Sequence, residues 1–231
     1  MEKIIYLVRT STDTNCDNFR QQALGEISQR LLQNDKVQKL TMSFDDSDVA
    51  RAADLRQEYR PPLPQATISV WVSTANTHSE LVDILKPYTS RIEGYLVTES
   101  EVMAPPIEEG QRTEGVVQVC GFTKLEALSE EAFLTVWKES HGPLACDIQS
   151  TFGYRQNLVA RKLTPEAADY SAIVEEYFPA DSMDSPHVFY DTEGDDEKLQ
   201  QNVNTMIESC VRFIDFETIN VVHMSEYTVK V

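Results

Sequence analysis

One order of elements can be read twice along this chain of 231 residues, and it restricts the fold more than any single motif. Residues 3–9 form an apolar run of strand length. Phe19, Leu24, Ile27 and Leu31 then recur at helical spacing over 17–33, with Asn34 just beyond. Residues 37–44 alternate as a strand. Residues 47–59 allow a short helix before the turn signal Arg60-Pro61-Pro62-Leu63-Pro64. The β-branched and aromatic stretch 66–73 is another strand. Thr77-His78-Ser79-Glu80 has capping-box spacing ahead of a helix with Leu81, Ile84, Leu85 and Tyr88 on one face. Residues 92–102 close the set, giving β-α-β-β-α-β with one extra helix.

After Ala104-Pro105-Pro106-Ile107-Glu108-Glu109-Gly110, which has linker composition, the order returns. Val116 to Thr123 reads as a strand. Ser129-Glu130-Glu131 starts a helix with a cap and two acids in its positive first turn, and Phe133, Val136 and Trp137 line its apolar side. Residues 154–162 and 170–178 read as strands. Leu199, Val203, Met206, Cys210 and Phe213 mark a helix over 197–213, and 217–229 is the last strand. Each set matches the ferredoxin-like split βαβ, a four-stranded antiparallel sheet with helices on one face. A sheet covered on one face must bury the other. The sequence therefore predicts an α+β fold, with halves 1–103 and 114–231 joined by a linker at 104–113. The two ferredoxin-like repeats are expected to pack sheet to sheet as an intrachain pseudo-dimeric α+β barrel. Two independent sandwiches are the alternative.

Composition excludes some partners. Twenty basic against 38 acidic residues leave a net charge of −18, which repels nucleic acid and disfavours anionic membrane surfaces. No apolar run approaches the ~20 residues of a bilayer span, and Met1-Glu2-Lys3 opens no signal-peptide pattern. Cys16, Cys120, Cys146 and Cys210 are scattered and suggest buried thiols. A cytoplasmic protein is the expectation.

The segment Phe133-Leu134-Thr135-Val136-Trp137-Lys138-Glu139-Ser140-His141-Gly142-Pro143-Leu144 resembles the Trp-x-x-x-His-x-Pro segment of the EthD family of dimeric α+β barrel proteins. The likeness continues through Tyr154-Arg155-Gln156-Asn157, the strand from Ala172 to Phe178, Phe213-Ile214-Asp215 and Glu226-Tyr227, covering about 115–230. Family members are usually single-repeat chains that dimerise. Some accompany ether-degradation operons, and relatives act as dehydratases, cyclases or decarboxylases on aromatic polyketides. The first half lacks Trp-x-x-x-His-x-Pro, so the resemblance implies one site per chain, with the first half as a built-in partner. Further homo-oligomerisation is left open.

His141 is the leading catalytic candidate. Gly142-Pro143 is expected to stop the helix after 140, so the helix dipole favours imidazolium there while burial opposes it. A helix-capping role is the plainer reading. Tyr154 shares a strand face with Gln156, and Glu175 shares one with Tyr177, while Asn157 and Glu176 face the other way on their strands. Tyr154, Glu175 and Tyr177 are expected to assist in acid/base chemistry. Trp137, Phe133 and Asn157 are expected to bind substrate, although Trp137 also fits a core role. His223 and Glu226 fall on opposite strand faces. His187 lies in 181–197, which holds seven acids and no Lys or Arg. Its Asp191-x-Glu193-x-Asp195 spacing suits a hard cation less well than it suits a solvated loop. No Gly-rich nucleotide cradle, Gly-x-Ser-x-Gly or metal-ligand spacing is present, so no metal or cofactor is expected. The expected function is proton transfer on a planar aromatic or polyketide-like small molecule: dehydration, cyclisation or decarboxylation. The alternatives are a non-catalytic binding or assembly protein of the same fold and a cofactor-free monooxygenase.

Overall fold

The computed structural model describes residues 1–11 and 14–231. Among these described residues the strands are β1 (Glu2–Arg9), β2 (Val37–Phe44), β3 (Gln57–Glu58), β4 (Ala66–Val72), β5 (Arg91–Met103), β6 (Val116–Lys124), β7 (Gly153–Lys162), β8 (Ala172–Phe178) and β9 (Ile214–Lys230). Their spatial order is β2-β4-β1-β5-β7-β8-β6-β9, with β9 pairing back onto β2, so eight strands close an antiparallel barrel. The short β3 adds to β9 outside that ring. In both the first four and the last four barrel strands the order is second-third-first-fourth.

The barrel closes by a route that alternation alone does not give. The two sheets meet edge to edge, at β5–β7 and at β2–β9. Sheet edges carry unpaired N–H and C=O groups, and joining the edges pairs them. Twisted sheets joined at both edges enclose an interior between their helix-free faces.

Three apolar layers result. Ile4, Tyr6 and Val8 on β1 pack with Phe19, Ile27 and Leu31 beneath the first-half helices. Phe122, Phe133, Trp137, Tyr154 and Phe213 form the matching layer in the second half. Ile5, Leu7, Tyr95, Val119, Ile173 and Met224 fill the barrel interior. The interior also holds charge. Lys3 Nζ lies 2.5 Å from Glu99 and 2.7 Å from Glu175, and Arg155 lies 3.4 Å from Glu226.

The helices are α1 (Cys16–Gln22), α2 (Ser28–Leu32), α3 (His78–Leu85), α4 (Glu130–Leu134), α5 (Gly142–Ile148), α6 (Pro186–Phe189) and α7 (Asp196–Cys210). A π-helical segment, Ala23–Ile27, joins α1 to α2, and Ser28 Oγ donates to Leu24 O at 2.6 Å. Ser129 caps α4 as expected, accepting from the Ala132 N–H. Three expectations change. Residues 47–55 are a 3₁₀ helix, Ser47–Leu55, followed by β3. Thr77 makes no capping bond, because a 3₁₀ turn capped by Thr74 precedes α3. Finally, Gly142-Pro143 does not stop the helix. Thr135–His141 is π-helical, Gly142 N–H reaches back to Trp137 O, and α5 starts with Pro143 in its first turn, where its missing N–H costs little.

Gly115 precedes β6 at φ +85°, and a Cβ there would sit 2.2 Å from Phe178 O. Both the left-handed backbone and the backbone clash oppose a side chain. Gly115→Ala is expected to cost about 3 kcal/mol or more, read by urea denaturation.

Candidate active site between the helices and the second-half sheet

The π-helical segment Thr135–His141 places Trp137 and His141 over the outer face of β6, β7 and β8. A cavity of about 230 Å³ opens there, lined by Trp137, His141, Tyr154, Glu176, Gln118 and Cys120 among others. The first half adds Leu55 and Gln57 to its wall, because Val49 and Ala52 of the 3₁₀ helix pack against Val116, Phe178 and Met183. The first half thus shapes this cavity as well as closing the barrel.

The candidates separate by strand parity. His141, Tyr154 and Trp137 meet at the cavity. Phe133 lies behind Trp137 with the rings stacked at 5.3 Å, in the core. Glu175, Tyr177 and Asn157 are on the opposite sheet face, inside the barrel, so they do not join His141. Asn157 Nδ2 donates to Glu175 Oε2 at 3.0 Å. Tyr177 Oη donates to Glu226 Oε2 at 2.6 Å, while Arg155 donates to Tyr177 Oη at 2.5 Å and to Glu101 at 3.1 Å. Burial opposes ionisation of Glu175, but Lys3 and Arg155 outweigh it and hold the carboxyl below its usual range. Glu226 is held above its range by burial, despite Arg155.

The carboxylate that reaches the cavity is Glu176. It is buried, and that burial pushes it up to about 7, with a 3.3 Å bond donated by Gln118 Nε2 opposing the rise. Burial also keeps the Tyr154 phenol protonated far above the ordinary tyrosine range, with the Glu176 charge adding to it. Gln156 Nε2 donates to Tyr154 Oη at 3.1 Å. Burial outweighs any helix-end effect at His141, whose pKa is lowered to about 4, with Arg212 a smaller cause. Its Nδ1 lies 3.0 Å from Ser209 Oγ. A Cβ at Gly142 would come within 2.9 Å of Gln156 Nε2, so a larger residue there would displace the end of the Gln156 side chain. Sequence reasoning set Glu176 opposite Glu175 and Tyr177 but did not see it beside Tyr154. Cross-strand register brings those two together.

His187 is paired with Thr192 at 2.8 Å and with Asp196 at 3.2 Å. Asp191, Glu193 and Gly194 take positive φ, so the acidic stretch turns tightly. Among the described residues no group of three or more His, Cys, Asp or Glu side chains could hold a metal, and no helix is long and apolar enough to cross a membrane.

These shifts set opposite pH dependences. His141 resists protonation, so its contribution to stability is lost as pH falls from 6.5 towards 4. Glu176 holds its proton past 4.5, so its contribution is present below 4.5 and is lost as pH rises to about 7. Between those limits Glu176 offsets acid destabilisation. Glu176→Gln is expected to lose stability with falling pH more steeply than the native protein, by roughly 1.4 kcal/mol per pH unit. Urea unfolding at several pH values measures the difference in slope.

The EthD domain model matches residues 125–217. No curated protein matches the chain. Solved structures do. An anthrone oxidase-like protein aligns with TM-score 0.61 and 9% identity, over 99% of this chain and 93% of that one. A protein of Lactobacillus acidophilus NCFM assigned as a monooxygenase gives TM-score 0.51 and 9% identity, over 99% and 96%. A variant chlorite dismutase from Candidatus Nitrospira defluvii gives 0.50 and 10%, over 99% and 91%. At such identities the likeness speaks for the fold. Residues 125–217, which carry Trp137, His141, Tyr154 and Glu176, match the EthD domain model, and the chain as a whole shares the eight-stranded antiparallel α+β barrel fold of these solved structures.

Proposed function

We propose that this protein is a small-molecule enzyme that moves a proton on a planar, oxygenated aromatic substrate, in a dehydration, cyclisation or decarboxylation. The observation that carries this reading is Glu176. It is a buried carboxyl poised at about 7, on the floor of a cavity walled by Trp137, Phe122 and Phe213. A carboxylate with that pKa exchanges a proton at neutral pH with little loss of driving force. Glu176 takes a proton from a carbon beside a ring carbonyl. The protonated Tyr154 phenol donates a hydrogen bond to the oxygen on which the charge develops. In a dehydration Glu176 then returns that proton to the departing hydroxyl, which leaves as water; in a decarboxylation no C–H proton is taken, and protonated Glu176 instead donates its proton to the carbon from which CO2 departs. Gln118 orients Glu176, and neutral His141, held by Ser209, offers a further polar contact.

The same reading treats the chain as two ferredoxin-like halves, 1–103 and 114–231, fused through 104–113. The shared strand order of the two sets supports it. The second half carries the chemistry, and the first contributes wall and closure.

A second reading draws on neighbours named anthrone oxidase-like and monooxygenase. The carbanion that Glu176 would generate is also the species that reacts with molecular oxygen. Turnover of anthrones and hydroxylated cyclic ketones, followed with and without oxygen uptake, tests both readings. Native protein that binds these probes but turns none over, with or without Glu176, is a binding protein and overturns the enzymatic proposal.

A further inference from the structure

Four polar side chains stand in one row across the second-half sheet. Tyr154 on β7 is the register partner of Glu176 on β8, Glu176 of Gln118 on β6, and Gln118 of His223 on β9. Direct cross-strand partners share a sheet face, so the row runs unbroken beneath the helices.

The row crosses two cavities. The first holds Tyr154, Glu176 and Gln118. The second, of about 360 Å³, holds Gln118 and His223, with Ser182 and Pro186 on its far side. Leu55, Gln57, Gln118, Phe189 and Tyr190 line both, so the two chambers adjoin along a shared wall. Together they reach the ~300–1,000 Å³ usual for small-molecule sites.

Three members of the row have partners. Tyr154 accepts from Gln156, and Gln118 donates to Glu176. His223 is the exception. It is 3% exposed, and its Nδ1 is buried with no hydrogen-bond partner among the described residues. An unpaired buried polar atom is costly, and a ligand group bonded to it recovers that cost. Burial, with Arg56 adding, lowers this imidazole to about 4, so it is neutral at physiological pH. A neutral imidazole has one donor and one acceptor nitrogen, which suits an uncharged hydroxyl or carbonyl.

We propose that the second cavity is a subsite for the far end of the substrate, where His223 hydrogen-bonds a phenolic hydroxyl on the outer ring. This rests on the aromatic-substrate reading above and narrows it to elongated polycyclic molecules. Such molecules carry oxygen at the end remote from Glu176. His223 is then a specificity residue that selects oxygenated rings over bare ones.

The test compares anthraquinone with alizarin, its analogue hydroxylated on one outer ring. Binding is followed by quenching of Trp137 fluorescence and confirmed by calorimetry. The native protein is expected to bind alizarin about tenfold more tightly. His223→Leu is expected to abolish that preference and leave anthraquinone affinity within about twofold. His223→Gln, which keeps a donor and an acceptor, is expected to retain part of it. Unfolding curves establish that both variants are folded, and His223→Gln keeps the test decisive should His223→Leu not fold. If the hydroxyl preference persists in His223→Leu, or His223→Gln loses it as fully as His223→Leu does, the subsite assignment falls while the Glu176 site stands. If neither probe binds the native protein, the aromatic-substrate reading falls, and this inference with it.

Discussion

Replacing Glu176 by Gln lowers kcat by about 10²–10⁴-fold on any substrate the native protein turns over, the range that a positioned general acid or base supplies. The substitution keeps the shape of the side chain and its reach to Gln118, so its effect is loss of the titrating group. Because the active form is the carboxylate, native kcat/KM is expected to rise through pH 7 and then level, following the value at which burial holds Glu176. Glu176→Gln removes that limb of the profile. His141→Ala is expected to cost less, since the imidazole is already neutral at pH 7 and its Nδ1 is engaged by Ser209. A Glu176→Gln variant with native kcat and the same pH limb sinks the assignment.

Arg155→Leu is expected to destabilise the protein by about 3–5 kcal/mol, the usual cost of removing one partner from a buried ionic group. Arg155 serves Glu226 and Tyr177 inside the barrel and also bonds the exposed Glu101. Without it, Glu226 is left beside Glu175 with only Lys3 to offset the pair. The Glu226 carboxyl, already raised by burial, then keeps its proton to still higher pH. Its raised pKa gives stability at low pH that is lost as pH rises, so the variant's deficit is smaller at pH 5 than at pH 8. Adding Glu226→Gln is expected to restore part of the loss, and a double-mutant cycle in urea gives the coupling. The two experiments separate the two sheet faces. Glu176→Gln alters turnover, while Arg155→Leu alters stability, with substrate affinity unchanged in the molecules that remain folded.

Much of the architecture was legible in the residues. Alternation in Val37–Phe44, the strand read over 170–178, and the Ser129 cap place strands and a helix where they occur. The site was less so. Parity along β8 separates Glu176 from Glu175, but which parity faces the helices depends on how β8 lies between β6 and β7. That register is a property of distant pairings. The Glu175–Tyr177 candidate pair failed to meet His141 for this reason. Gly142-Pro143 misled in another way, because a π-helical segment absorbed a signal that ends an ordinary α-helix. Leu55 and Gln57 carried no local mark at all. They matter only because the first-half 3₁₀ helix crosses onto the second half.

The β2–β9 seam has a consequence for biosynthesis. Phe44 pairs with Ser225, and Leu40 with Lys230, so the barrel cannot close until β9 has left the ribosome. During that interval the first four barrel strands, β1, β2, β4 and β5, form a sheet with two open edges, β2 and β5, and an uncovered inner face bearing Ile5, Leu7 and Tyr95. A nascent chain in this state has exposed strands able to pair with other chains. Contacts between such distant residues also form slowly. A chain truncated anywhere before β9 therefore keeps the β2 edge open and is expected to aggregate more readily than the closed barrel.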